Sequence, residues 1–228
     1  MHHVDKYIQK NIPKELQPHA YEVAKELWSL LLALEKKNRV KPSLRGTEKD
    51  FLEILMDSGK ILKVFNEFFD IYMKEDKRKQ FFELLEKEEF GFTDEDFSYF
   101  LHSYLVFIFL AVTEMFKNTL IFVLKGIRPR DTLGRLFGEK GVLVKETKET
   151  GEAKKIAEKI NIDLRNSLAH FMFRRVGKTM CYYDYEKDNN DWSLVRKEMD
   201  SGELFEMILR HNTLNKLLVE IVPEWYGL

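Results

Sequence analysis

The chain of 228 residues contains a single cysteine, Cys181. An internal disulfide and a multi-cysteine metal site are therefore excluded, and the lone thiol fits a reducing cytoplasm. An excess of charge of one sign is also missing: 37 Lys and Arg stand against 38 Asp and Glu, a formal net charge of −1. No global basic field draws nucleic acid to such a surface, so any RNA contact has to be local. The glycines form no phosphate loop, because Gly134, Gly138 and Gly141 lack the closing Lys-Ser/Thr and the preceding strand. No His-Glu-x-x-His helix occurs, and the adjacent His2 and His3 do not make a metal site. No metal and no other cofactor is expected. The first thirty residues hold no apolar run with a small-residue cleavage site, which argues against a signal peptide. Glutamine occurs only at Gln9, Gln17 and Gln80, in a Lys- and Glu-rich background of the kind seen in thermophile proteins. No internal repeat is evident.

What the chain does have is apolar residues at helical spacing, with 18 Phe among them. After a polar lead-in at 1–13, Tyr21, Ala24, Leu27, Trp28, Leu31 and Leu34 predict a helix from Glu15 to Lys37. Asn38 to Gly46 is a loop, and Thr47 caps a second helix that runs through Ile54, Leu62 and Phe69 to Tyr72. The mixed charges of Lys74 to Lys79 read as a solvated joint before a short helix with Phe81, Phe82, Leu84 and Leu85. Thr93-Asp94-Glu95-Asp96 then starts a long helix that reaches Lys125. Its Tyr104–Val112 stretch has nine residues without a charge or an amide. A membrane span would need about 20 apolar residues. Ser103, Thr113, Glu114, Lys117 and Asn118 interrupt this one, so it reads as a helix buried centrally in a bundle.

Gly126 to Pro129 breaks the chain before a short helix starting at Asp131 or Thr132. Gly138 and Gly141 frame a turn, and Val142 to Gly151 is a loop. Glu152 to Arg175 reads as one amphipathic helix, which Gly177 stops. Thr179–Asp184 and Trp192–Arg196 read as two strands joined by an acidic, amide-rich loop. A last helix covers Ser201 to Ile221. The expected fold is mainly α, a helical bundle with a small β-hairpin before the C-terminal helix. Residues 1–92 form an N-terminal helical extension packed on the core, and 93–228 form the main helical domain.

The helix from Glu152 to Arg175 carries the chemistry. Ala153, Ile156, Ala157, Ile160, Leu164, Leu168 and Phe171 recur as one apolar stripe, leaving Arg165, Asn166 and His170 on the polar side. At about 100° per residue, Arg165 and His170 lie roughly 140° apart, too far to touch, whereas Asn166 and His170 are neighbours. A site using all three has to be completed by a second surface. His170 can act as a general base or acid, since its ordinary pKa lies near neutrality. Arg165 can bind a phosphate through two parallel N–H donors and stabilise transition-state charge. Asn166 can orient the imidazole or bind the phosphate. Arg174 and Arg175 can grip RNA phosphates beside the site, or simply suit a helix end. Glu114 can pair with Arg165 and fix its guanidinium, or pair with Lys117 or Lys125 instead. Taken singly, His170 is a partner for the helix dipole, Arg165 an exposed charge and Asn166 a surface amide.

The sequence Arg165-Asn166-x-x-x-His170 resembles the Arg-polar-x(3–5)-His signature of HEPN domains, all-helical modules found in many RNA-cleaving proteins. The likeness extends from about Asp94 to Val222. It takes in the long apolar helix, Thr132-Leu133-Gly134-Arg135-Leu136, the motif helix, the strand pair and the closing helix. The resemblance implies a HEPN-like bundle and a homodimer formed through the Arg165/His170 helix face. It also implies metal-independent RNA cleavage that leaves a 2′,3′-cyclic phosphate, in defence or stress response, with Arg165, Asn166 and His170 catalytic. A regulatory protein partner is compatible with it, and so is a non-catalytic module that dimerises or binds a nucleotide. Met172 departs from the pattern of those HEPN toxins that carry a modifiable Tyr two residues after the His, which argues against that switch here.

Overall fold

The computed structural model describes residues 2–44 and 94–227, except 13, 15, 129, 177, 178, 189 and 190, together with single positions at 67, 76, 79 and 83. The order of elements is α1 (His2–Asn11), α2 (Gln17–Lys36), α3 (Asp94–Val123), α4 (Leu133–Phe137), α5 (Val142–Glu146), α6 (Glu152–Glu158) and α7 (Ile162–Ala169), then β1 (Phe173–Val176), β2 (Thr179–Asp188), β3 (Asp191–Asp200) and α8 (Ser201–Tyr226). The fold is mostly helical, with a small antiparallel sheet in the order β1-β2-β3 just before the last helix. The second helix expected from Thr47, the short helix at 81–85, the Thr93 cap and most of the charged joint lie outside the described residues.

The two longest helices, α3 and α8, lie side by side and divide the interior into two apolar clusters. Leu105, Phe109 and Val112 of α3 meet Leu204 and Ile208 of α8 in one cluster, together with Leu164 and Leu168 of α7 and Met180, Tyr182 and Met199 of the sheet. Phe116, Leu120 and Val123 of α3 meet Leu214, Leu217 and Ile221 of α8 in the other. That second cluster also takes in α1, α2 and α6, through residues such as Val4, Ile8, Leu27, Leu34 and Ile156. By length and composition, Ser103–Val123 passes for a membrane span, but more than half of it is buried inside the protein.

Several elements differ from expectation, and each difference has a local cause. The lead-in at 1–13 is the helix α1. Only Val4 and Ile8 mark its inner face, and both are fully buried. Burial of each contributes about 2 kcal/mol, and packing of this kind stabilises helices too short to stand alone. Its start is tied down where the Val4 N–H donates to Glu224 Oε2 at 3.1 Å. Val142 to Gly151 is not all loop, because Leu143 buries and anchors α5. The Thr147 hydroxyl donates to Leu143 O at 2.9 Å and accepts from Ala153 N at 3.1 Å, joining α5 to α6.

The stretch from Glu152 to Arg175 is not a single helix. It breaks after Glu158, restarts at Ile162 and ends at Ala169, and its last residues form β1. The strand pair is also longer than expected and has a third member. β1 pairs with β2 from Phe173↔Tyr182 to Val176↔Thr179, and β2 pairs with β3 from Thr179↔Asp200 to Asp188↔Asp191. Asp200 then starts α8 with a capping box: Glu203 N donates to Asp200 Oδ1 at 2.8 Å, and Asp200 N donates to Glu203 Oε2 at 2.9 Å. Helix α8 continues past Ile221 and through Pro223 to Tyr226, where Trp225 meets the edge of Trp28 with ring centroids 5.0 Å apart.

A buried polar layer lies between the two clusters. Thr113 and Lys117 supply it from α3, and His211, Asn212 and Asn215 from α8. The Thr113 hydroxyl donates to Phe109 O at 2.6 Å, so it accepts from His211 Nδ1, 2.9 Å away. Burial pushes the His211 pKa down to about 4 against a weaker upward pull from the Lys159 backbone, so the ring is neutral when folded. The unfolded chain takes up this proton near pH 6.5, well before the folded chain does. Between those values the unfolded state binds more protons, so stability is complete above pH 6.5 and falls as the pH drops toward 4. The expected loss is about 3 kcal/mol, read from denaturant unfolding at stepped pH. His211→Gln, which keeps a donor for Thr113 but does not titrate, should flatten that part of the curve.

Candidate functional site

Helix α7 is short because its two ends are set by specific side chains. At the start, Asn161 Oδ1 accepts from Leu164 N at 2.9 Å, an N-cap that breaks the run from α6. Leu164 and Leu168 turn toward α3 and the sheet. The buried Ser167 hydroxyl shares its proton between the carbonyls of Asp163 at 2.8 Å and Tyr183 at 2.7 Å, which fixes α7 to β2. At the far end, Phe171 N donates to Leu168 O at 3.2 Å, and Met172 N donates to Ser167 O at 2.8 Å. This is the Schellman arrangement, with Phe171 at φ +57° where glycine is usual. A side chain in this left-handed conformation costs about 1–2 kcal/mol. The surroundings hold it there, because Met172 O accepts from Tyr183 N at 2.9 Å and feeds the chain straight into β1.

Of the three alternatives for Glu114, two hold together. Its carboxylate binds both Arg165 Nη2 and Lys117 Nζ. Lys125 instead donates to Asn38 Oδ1 at 2.5 Å. Arg165 Nη1 donates to Asn166 Oδ1 at 3.2 Å, while the buried Nε has no partner among the described residues. The Arg165 side chain is 16% exposed, against 11% for Lys117 and 32% for Glu114. Burial raises the Glu114 pKa, but the hydrogen bonds from Lys117 and Arg165 outweigh it and hold the carboxyl below its ordinary value. One carboxylate between two cations leaves the trio with a net charge of +1.

His170 caps the C-terminal end of α7, with its backbone N–H donating to Asn166 O at 3.0 Å. Its imidazole is exposed, and among the described residues no hydrogen bond or ion pair engages it. Glu114, Arg165 and Asn166 are therefore brought together, with Lys117 beside them. No bond joins Arg165 to His170. Arg174 and Arg175 are not at a helix end but in β1, on opposite faces of the strand: Arg174 is exposed, and the Arg175 guanidinium lies 5.3 Å from the Tyr99 ring centroid.

No family model, curated protein or solved structure matches the chain. The site is therefore read from its own residues. Among the described residues, no group of three His, Cys, Asp or Glu side chains is close enough to hold a metal ion. A cavity of about 780 Å³ lies by the first turn of α7, lined by His19, Lys159, Asn161, Asp163, Met207 and Arg210 among others, but it includes neither Arg165 nor His170. Sequence reasoning missed the buried His211 and the exposure of Phe171. Lys117, three residues after Glu114, was among the partners that the sequence offered, as the spacing of helical ion pairs allows.

Removing the shared carboxylate leaves two poorly solvated cations facing each other. Glu114→Gln should therefore destabilise the fold by about 2 kcal/mol, below the range for fully buried pairs because this one is partly exposed. Glu114→Gln combined with Lys117→Met should recover part of that loss. Denaturant unfolding of the single and double variants checks both outcomes.

Proposed function

We propose that the protein is a homodimeric, metal-independent endoribonuclease of the HEPN type. The observation that carries this reading is the Arg165 guanidinium, oriented by Glu114 and Asn166 on a helix that ends in an exposed, unpaired imidazole at His170. In the reaction, His170 of one copy removes the proton from a ribose 2′-hydroxyl while His170 of the other copy protonates the departing 5′-oxygen. The 2′-oxygen attacks phosphorus, the bond to the 5′-oxygen breaks, and a 2′,3′-cyclic phosphate remains. Arg165 stabilises the charge that builds on the phosphoryl oxygens, and Asn166 keeps the guanidinium in register.

Arg165 and His170 fall on different sides of the motif stretch by their spacing, so a second copy completes the site through the same helix face. Arg174, exposed on β1, binds a flanking phosphate locally, as the near-neutral net charge requires, whereas Arg175 on the opposite face is turned to Tyr99. A reducing cytoplasm suits the single thiol, and defence or stress-induced RNA cleavage, under a regulatory protein partner, suits the chemistry. A second reading is favoured by the small exposure of Arg165 and its bond to Glu114. In that reading the face is a non-catalytic surface for dimerisation or nucleotide binding.

The test is cleavage of labelled mixed-sequence RNA in EDTA. Wild-type protein should produce cyclic-phosphate ends, and His170→Ala and Arg165→Ala should each lower the rate by about a hundredfold or more. Cleavage that survives both substitutions, or a wild-type dimer that leaves RNA intact, would reject the nuclease.

A further inference from the structure

Phe171 completes the apolar stripe of the motif stretch in sequence, yet its side chain is 85% exposed. It also occupies a left-handed backbone position, φ +57°, that glycine would fill without strain. Neither core packing nor turn geometry therefore accounts for a phenylalanine here. Among the described residues, no ring, cation or polar side chain engages it. Tyr99, another exposed ring, differs in having the Arg175 guanidinium over it.

The surroundings of the ring say what it can hold. Phe171 directly follows His170, so their Cα atoms are about 3.8 Å apart. Three residues further on is the exposed Arg174, and Arg165 lies on the preceding helix with the net +1 trio. An exposed flat ring that adjoins a proton-transfer group in the chain, with an exposed cation three residues on, suits a nucleotide, which offers a flat base on an anionic backbone. Stacking of bases on aromatic side chains is the usual way in which single-stranded RNA is held.

We propose that Phe171 is a substrate-binding residue, whose solvent-facing ring stacks on the nucleobase flanking the phosphate held by Arg165 and His170. The assignment rests on the ribonuclease reading above and adds to it a base-binding position. The left-handed turn that presents the ring is fixed by Ser167, Met172 and Tyr183, so the ring is displayed before RNA arrives.

The experiment uses the full chain with His170→Ala to prevent cleavage, and a single-stranded RNA carrying 2-aminopurine, whose fluorescence is quenched by stacking. In that background Phe171→Gly should weaken RNA binding about tenfold, as expected for the loss of one stacked base, and should abolish the quenching. Its thermal midpoint should be equal or higher, since glycine suits the backbone, and sedimentation should show an unchanged oligomeric state. Phe171→Trp should restore both affinity and quenching. If Phe171→Gly binds RNA like its parent, the base-stacking assignment fails while wild-type cleavage still supports the nuclease. If Phe171→Gly loses the dimer, the ring belongs to a subunit interface and the assignment also fails. If the parent binds no RNA and the wild type cleaves none, both readings fall together.

Discussion

A 30-residue helix with so apolar a sequence has to bury much of its surface. In this fold that requirement belongs to α3, and the other elements are arranged to meet it. Helix α8 runs along its length, α7 and the sheet close over its N-terminal half, and Phe116, Leu120 and Val123 carry the other half into the cluster shared with α1 and α2. The candidate site is a by-product of that covering. Glu114 lies where α3 passes from one apolar cluster to the other, and α7, docked through Leu164 and Leu168, brings Arg165 to it. The position of the guanidinium thus follows from leucine packing, and its orientation from the carboxylate.

The polar layer at the same level has a different logic. Thr113, Lys117, His211, Asn212 and Asn215 sit where the two apolar clusters meet. Such groups add little net stability: the Thr113–His211 bond only replaces bonds made with water, and among the described residues His211 Nε2, Asn212 Oδ1 and Asn215 Oδ1 have no partner. They do penalise misregistration: sliding α8 by one turn against α3 would separate Thr113 from His211 and strand both in apolar surroundings. The layer therefore acts as a register mark between two long helices whose leucines would otherwise tolerate several alignments.

Much of this was legible in the sequence wherever an apolar period ran long enough. Helices α2, α3 and α8 follow their spacing, and α4 starts at Leu133, next to the Asp131 or Thr132 expected, behind a Thr132 hydroxyl that accepts from Arg135 N at 3.2 Å. The failures share a cause, which is that periodicity reports a face and not an axis. Ala153, Ile156, Ile160, Leu164 and Leu168 keep one stripe across α6 and α7 although the helix stops between them. Asn161 with Asp163 in the following turn was the available signal for that break. Phe173 to Val176 alternates in burial as a strand does, but four residues are too few to outweigh the helical pattern before them. At the site, the sequence offered three partners for Glu114 and no means of choosing. The choice is made by α7 docking across α3, a contact between residues 51 positions apart.

The same docking decides how much of Arg165 remains for a ligand. A guanidinium bound to a single carboxylate would be neutralised and would have little attraction for an anion. Lys117 changes that balance. Its ammonium takes the other carboxylate oxygen of Glu114, so two cations share one negative charge and the excess of +1 stays with the trio. Its burial keeps that excess close by, since water screens it poorly there. The arrangement holds the guanidinium in place without cancelling its field, and Lys117 achieves this from within the core.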